Sequence, residues 1–190
     1  ISRIPEAEFT VDEYKNAILG FQNEYAAPLG LTMVFDALAD RNAKNAYREL
    51  INEGRLKMRV RCPEYIRPET GEKQVEQLCH QEIEYLGDDY KANVAKFFID
   101  GSQMNICLTE PYEKKKLKEM GLPDNYKGEL VWHDDEIKEL FLKLTEAGYQ
   151  IHTHVMGDGA AKQVLDGFEY VKDVTGYNGN RNVMTHIMLI

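Results

Sequence analysis

The chain has 190 residues, of which 43% are hydrophobic and 29% are charged, with a formal net charge of −9. This composition is typical of a globular domain with a core of its own, and it excludes a disordered tail, a collagen-like fibre and a disulfide-dense miniprotein. The acidic balance argues against nucleic acid as a partner, and no apolar run approaches the roughly 20 residues that cross a membrane.

The cysteines and the chain ends bear on where the protein works. Cys62, Cys79 and Cys107 are an odd number without a C-x-x-C pair, which is typical of free thiols in a reducing compartment. The first residues, ISRIPEAEF, carry no signal-peptide pattern, so we expect a cytoplasmic protein. The missing initiator methionine and the apolar end, NVMTHIMLI, predict a piece of a longer protein.

The first elements follow from caps and apolar runs. Thr10 and Glu13 form a capping-box pattern, which predicts a helix through about residue 27. The apolar run 30–36 predicts a buried strand. Asp40 is the predicted N-cap of the next helix, which ends at Gly54.

Strands and helices continue to alternate through the middle of the chain. The alternating run 56–62 predicts a second strand, and apolar residues over 75–86 predict a helix. Residues 94–99 predict a third strand. Residues 102–133 predict a long loop with a short helix, and loops of this length often cover binding sites.

The last third predicts helix, strand, helix and strand. Asp134 or Asp135 is the predicted cap of the first helix, and a strand follows over 149–155. A helix opens at Asp158, and the last strand covers 182–190. Five strands alternating with helices predict an α/β fold with parallel strands. Two architectures remain open, a five-stranded doubly wound sheet and part of an eight-stranded (β/α)8 barrel.

Two histidines lie where parallel strands of such folds carry their sites. His154 lies near the end of the fourth predicted strand, and His186 lies in the fifth. His152 shares a face with His154 because side chains alternate along a strand. Imidazoles from neighbouring strands can converge on one zinc ion that keeps a position open for water. The alternative is that these are hydrogen-bonded core histidines without a metal.

Lys96 is unusual because its neighbours along the third strand are apolar. Burial disfavours the ammonium form and lowers the pKa of a lysine. The neutral amine can take up carbon dioxide, and the resulting carbamate could bridge two metal ions. Alternatively, Lys96 points outward with its charge in solvent or pairs with a buried aspartate.

Asp158 opens a helix directly after a strand. The backbone N–H groups of this turn could hold an anion, or Asp158 could simply cap the helix. The alternative function is therefore a five-stranded, doubly wound module that binds a small anion at this turn without a metal. The spacing of Gly157 and Gly159 does not match a dinucleotide fingerprint.

Four stretches, in order, resemble the metal-dependent amidohydrolase superfamily. Residues 30–36, 96–101, 154–158 and 185–186 resemble the second, fourth, fifth and sixth barrel strands of its amidohydrolase-3 group. That group includes N-substituted formamide deformylases. The resemblance covers about residues 10–190. It implies hydrolysis of amide or related C–N bonds in a small-molecule substrate by metal-activated water.

The resemblance also implies roles for particular residues. His154 and His186 would be ligands of the second metal position, and Lys96 would be the lysine that many members carboxylate to bridge two metals. Lys96 and Asp158 are the candidate catalytic residues, with Asp158 supporting the site or capping its helix. The implied cofactor is a divalent metal, with zinc preferred, as one or two ions in the parent protein.

The chain also departs from the family pattern. Gly159 stands where the family often has a basic residue, and Ile187 stands where it often has a small one. The family's first-strand H-x-H pair and eighth-strand aspartate lie outside the sequence. We therefore expect residues 1–190 to form one partial (β/α)8 TIM barrel domain, strands two to six with their helices. Alone it should be inactive, and its open sheet edges could form a homo-oligomer.

Overall fold

The computed structural model describes residues 8–176 and 180–189, and these form two compact α/β units. The first unit comprises the residues up to Glu64 together with Ile83–Asn93, and the second comprises Tyr65–Glu82 and the residues from Val94 onward. Parallel strand pairs occur in both units, which confirms the predicted α/β class. None of the described helices is long and apolar enough to cross a membrane.

The first unit packs two helices against a four-stranded sheet. Its elements are α1 (Val11–Phe21, continued by a π-helical turn over Gln22–Ala26), β1 (Met33–Phe35), α2 (Arg41–Asn52), β2 (Arg59–Arg61), β4 (Tyr85–Leu86) and β5 (Tyr90–Lys91). The sheet order is β1–β2–β5–β4, with β1, β2 and β5 parallel and β4 antiparallel to β5.

Side-chain caps start both helices of this unit as predicted. Thr10 and Glu13 bond each other's backbone N–H groups in a complete capping box. Asp40 accepts a hydrogen bond from the Ala43 N–H at 2.8 Å and another from the Tyr14 hydroxyl at 2.7 Å. The Asp40 carboxylate therefore joins the start of α2 to α1.

Two predictions for the first half of the chain are wrong. The helix predicted over 75–86 ends at His80, and Tyr85–Leu86 instead form β4, which turns back onto β5 through Gly87 at φ +55°. Strand β1 is not buried, since Met33 and Phe35 are 41% and 40% exposed. The reason is that Met33 and Phe35 share one face of this short strand, whereas Val34 on the other face packs against the core of the unit.

The second unit carries a mostly parallel four-stranded sheet with helices packed on it. Its elements are β3 (Glu64–Tyr65, at the unit boundary), α3 (Gly71–His80), β6 (Val94–Phe98), α4 (Lys114–Met120), α5 (Asp134–Glu146), β7 (Gln150–Gly157), α6 (Asp158–Thr175) and β8 (Val183–Leu189). The order of its strands is β3–β6–β7–β8. The described residues thus contain eight strands rather than five, because β3, β4 and β5 have only two residues each.

Aromatic rings fill the core of this unit beneath β6. The Phe97 ring meets Trp132 and Phe141 edge to face, with centroids 5.3 and 5.2 Å apart. Phe168 of α6 stacks on Phe141 of α5. The predicted cap of α5 is wrong, since His133 holds the N-cap position and Asp134 lies in the first turn. Asp134 instead accepts a hydrogen bond from the Gln163 side chain of α6, so it ties the two helices together.

The long loop predicted over 102–133 contains the predicted short helix, α4, and packs against the start of α6. The Cys107 carbonyl accepts hydrogen bonds from the N–H groups of Gly159 and Ala160, at 3.0 and 3.4 Å. A Cβ on Gly157 would lie 2.0 Å from the same carbonyl oxygen, so only glycine fits there. The Gly157–Asp158–Gly159 run therefore permits a close backbone approach.

Removing the cap of α2 tests the first unit. We expect Asp40→Ala to lower the free energy of unfolding by about 1 kcal/mol, because the Ala43 N–H loses its acceptor. Asp40→Asn keeps a capping oxygen and is the control at neutral pH. Hydrogen bonds from Ala43 and Tyr14 lower the pKa of Asp40. The contribution of its charge is therefore present at neutral pH and is lost as the pH falls below about 4. Urea denaturation of each variant across this pH range measures both effects, and equal stability of Asp40→Ala and wild type would contradict them.

A second substitution tests the close approach at the start of α6. Gly157→Ala should lower the free energy of unfolding by at least about 2 kcal/mol, because the new Cβ overlaps the Cys107 carbonyl. Gly20→Ala is the matched control, since a Cβ there meets nothing within 4 Å. In a helix it should stabilise by about 0.5 to 1 kcal/mol. Denaturation curves compare the two, and a neutral Gly157→Ala would show that the loop does not hold this position.

Candidate active site

Parallel pairing of β6 and β7 brings three of the candidate side chains to one face. Lys96 pairs with His152, and Phe98 pairs with His154, in a regular register. Since side chains two apart share a face, Lys96, Phe98, His152 and His154 lie on the same side of the sheet. The sequence pattern predicted this shared face for the two histidines of β7, and the register adds the lysine.

Lys96 is buried in this face. Its residue is 4% exposed, and its Nζ lies 5.3 Å from the centre of the Phe98 ring. Burial lowers its pKa from 10.5 to about 8. Among the described residues no carboxylate forms an ion pair with it. The alternatives of an outward-pointing lysine and of a lysine paired with aspartate are therefore both wrong.

The rings of His154 and His186 meet between the neighbouring strands β7 and β8, near the middle of each strand rather than at its end. Their ring centroids are 4.7 Å apart, and the rings are tilted by 65°. His154 is partly buried, and burial is the main cause that lowers its pKa, which favours the neutral imidazole. The Nε2 atom of His154 makes a long hydrogen bond of 3.5 Å with the Gly101 carbonyl oxygen. The two predicted metal-binding histidines are thus adjacent.

The backbone of β8 bends to bring His186 there. In the register of β7 and β8, His186 pairs with Val155, whose side chain faces the core. His186 has φ +80° and Ile187 has φ +45°, values that residues other than glycine rarely adopt. This irregular backbone lets an exposed His186 reach the ring of His154. Strained backbone of this kind is common at functional sites.

His152 lies deeper in the same face. It is 7% exposed, and its pKa is lowered to about 4, first by burial and then by the charges of Lys96 and His186. A neutral imidazole at this depth adds polarity beside Lys96 without adding charge. It lies two residues closer to the amino end of β7 than His154 does.

Asp100 is the main residue of this region to which the sequence pattern assigned no role. Its carboxylate is fully buried and accepts hydrogen bonds from three backbone N–H groups, those of Cys107, Met156 and Gly157, at 2.9 to 3.0 Å. One of its oxygens, Oδ1, lies 4.0 Å from Nε2 of His154. The signal in the sequence was the position of Asp100 directly after a buried strand.

Asp158 lies apart from the lysine and histidine group. It accepts hydrogen bonds from the backbone N–H of Thr109, at 2.9 Å, and from the Thr109 hydroxyl. These bonds hold its pKa below the usual aspartate value. Because the Cys107 carbonyl already accepts from the first N–H groups of α6, the turn offers little room for a free anion. The anion-binding alternative is therefore not favoured.

The donor set suits a divalent ion but is small. Imidazole nitrogen is a preferred ligand of zinc. The His186 ring contacts the ring of His154, and His154 shares a face of the sheet with Lys96. A catalytic zinc usually has three protein ligands. Within residues 8–176 and 180–189, no group of three or more histidine, cysteine, aspartate and glutamate side chains is arranged to hold a metal.

Two known structures have a similar fold. An uncharacterized metal-dependent hydrolase from Pyrococcus furiosus is 32% identical, with a TM-score of 0.67 over 88% of this chain and 33% of that chain. A second uncharacterized metal-dependent hydrolase, from Pyrococcus horikoshii OT3, is 26% identical, with a TM-score of 0.68 over 92% of this chain and 33% of that chain. The chain therefore spans about a third of the length of these structures. None of the curated proteins matches it.

The family comparison covers almost the whole sequence. The profile of the amidohydrolase family matches residues 4–190. This match confirms the resemblance that the strand motifs carried, at the level of the superfamily. The chain belongs to the amidohydrolase family.

Proposed function

We propose that this chain is part of a metal-dependent hydrolase that cleaves amide or related C–N bonds with metal-activated water. The observation that carries the proposal is the contact of the His154 and His186 rings beside the buried Lys96. The family membership and the two metal-dependent hydrolases of similar fold support it. We also propose that the strands belong to a partial (β/α)8 barrel, strands two to six, and that residues 1–190 form one domain of it.

His154, His186 and Lys96 are the residues that would hold the metal. Burial keeps the imidazole of His154 neutral, so that a ring nitrogen can offer a lone pair. Since its Nε2 faces the Gly101 carbonyl, Nδ1 is the nitrogen left for a ligand. A bound divalent ion, with zinc preferred, supplies a Lewis acid that lowers the pKa of water and polarises a carbonyl.

Lys96 has a chemical role of its own in this proposal. Its buried amine can attack carbon dioxide, forming an N–C bond and releasing one proton to solvent, and the product is a carbamate anion. The anion would place a negative oxygen ligand where the neutral side chains offer none. The Phe98 ring covers Nζ from one side and limits access of water. Asp158 would act only indirectly, by holding at Thr109 the loop whose Cys107 N–H bonds Asp100.

The surroundings of the site suggest the remaining features of the proposal. The substrate would be a small amide-type molecule, and the net charge of −9 disfavours nucleic acid. We further propose a cytoplasmic protein that has no membrane partner. Edge strand β1 leaves apolar side chains exposed, and pairing of such edges would produce a homo-oligomer.

Zinc binding tests the proposed site directly. We expect the purified chain to bind zinc, and His154→Ala and His186→Ala should each weaken the affinity at least about tenfold because each removes an imidazole ligand. His80→Ala is the matched control, since His80 is exposed on α3. Isothermal titration of the four proteins gives the affinities. Equal affinities in all four, or no binding in any, would contradict the proposal.

Substitution of the buried lysine tests whether it is kept at the expense of stability. Lys96→Met should raise the free energy of unfolding at pH 7 by about 2 kcal/mol, because the folded state no longer buries an ammonium. A pKa lowered to about 8 destabilises the fold below that pH. The free energy of unfolding of the wild type should therefore rise between about pH 8 and 10.5. Over the same range the difference in stability between wild type and Lys96→Met should disappear.

Lys172→Met is the control for this experiment. Lys172 is exposed on α6, so its substitution should change stability by less than about 0.5 kcal/mol at either pH. Urea denaturation at several pH values provides the comparison. A Lys96→Met variant less stable than wild type at pH 7 would show that Lys96 stabilises the fold, and it would remove this support for a functional lysine.

A further inference from the structure

We propose that Asp100 is a positioning residue, which keeps the ring proton of His154 on Nε2 and so fixes which nitrogen faces the site. The inference rests on the proposed function only in taking the other ring nitrogen of His154 to be a metal ligand. It rests on geometry for the rest, beginning with a carboxylate that is fully buried and 4.0 Å from the ring.

The position of the Asp100 carboxylate is fixed by its own hydrogen bonds. Oδ2 accepts from the N–H groups of Cys107 and Gly157, and Oδ1 accepts from Met156. These donors belong to the loop after β6 and to the end of β7. A buried carboxylate is costly without such partners, and three N–H donors hold it strongly in one place. Asp100 can therefore act as a fixed charge.

The fixed charge lies on one side of the His154 ring. Nε2 lies 4.0 Å from Oδ1 of Asp100, and it also makes the 3.5 Å hydrogen bond with the Gly101 carbonyl. A carbonyl oxygen only accepts, so Nε2 must donate in this contact. A negative charge 4.0 Å from the same nitrogen favours this tautomer over the one with the proton on Nδ1. An acceptor behind a ring is the usual way in which proteins orient a histidine ligand.

Asparagine at this position provides the sharpest change. Asp100→Asn removes the charge while keeping the size of the side chain, and one of its two polar atoms becomes a donor. The N–H groups around it then lose an acceptor, so the variant should also be less stable. A variant that is only destabilised is therefore needed as a control. Gln163→Leu serves, because Gln163 is buried in the same unit and bonds Trp132 and Asp134 without touching His154.

The tautomer of His154 is the decisive measurement. Long-range 1H–15N correlation spectra of the 15N-labelled chain, recorded at about pH 8, distinguish protonated from lone-pair ring nitrogens in neutral histidines. His154→Gln assigns the signals. We expect the Nε2–H form in the wild type and at least a severalfold shift toward the Nδ1–H form in Asp100→Asn. His80 and His133 should keep their signals in every variant, and Gln163→Leu should leave His154 unchanged.

Three results would overturn the assignment. The first is an Nδ1–H tautomer of His154 in the wild type, a measurement that stands even if Asp100→Asn does not fold. The second is an unchanged tautomer ratio in a folded Asp100→Asn. The third is an equal shift in Gln163→Leu, which would mark a general loss of structure. A chain that shows the expected tautomers but binds no zinc would overturn the proposed function alone.

Discussion

The buried carboxylate of Asp100 is the constraint on which the second unit depends. A charge without solvent needs hydrogen-bond donors, and here they come from the loop after β6 and from the end of β7. The same loop segment gives the Cys107 carbonyl to the start of α6 and the Thr109 donors to Asp158. Gly157 and Gly159 make this possible because a side chain at either would overlap the loop. Loop, strand end and helix start are therefore held together by backbone contacts.

These backbone contacts hold in place the strands that carry the polar residues of the site. Lys96, His152 and His154 share a face because β6 and β7 pair in parallel register, and the aromatic core lies on the opposite face. Buried basic groups and left-handed backbone at His186 and Ile187 are unfavourable for folding. Their concentration on three neighbouring strands is a pattern that is common at functional sites, where such features lower stability.

The site also shows how the chain relates to its larger relatives. Two imidazoles alone are fewer than the three protein ligands that a catalytic zinc normally has, and the chain spans about a third of the Pyrococcus hydrolases. Full hydrolase activity is accordingly a proposal about a longer protein, whereas the ring contact of His154 and His186 is a property of this chain. Membership of the amidohydrolase family is therefore consistent with a chain that carries only part of a metal site.

The sequence by itself determined the features that depend on local pattern. Strand and helix alternation, the capping box at Thr10 and the cap at Asp40 follow from neighbouring residues, and the motif order was sufficient to identify the superfamily. The tertiary structure alone decided what depends on distant partners. It turned Tyr85–Leu86 into a strand by pairing, and it brought His186 to His154 through a bent backbone. It also gave Asp100 its three donors and Asp158 its partner in Thr109, because a carboxylate's role is set by whichever distant N–H and O–H groups reach it.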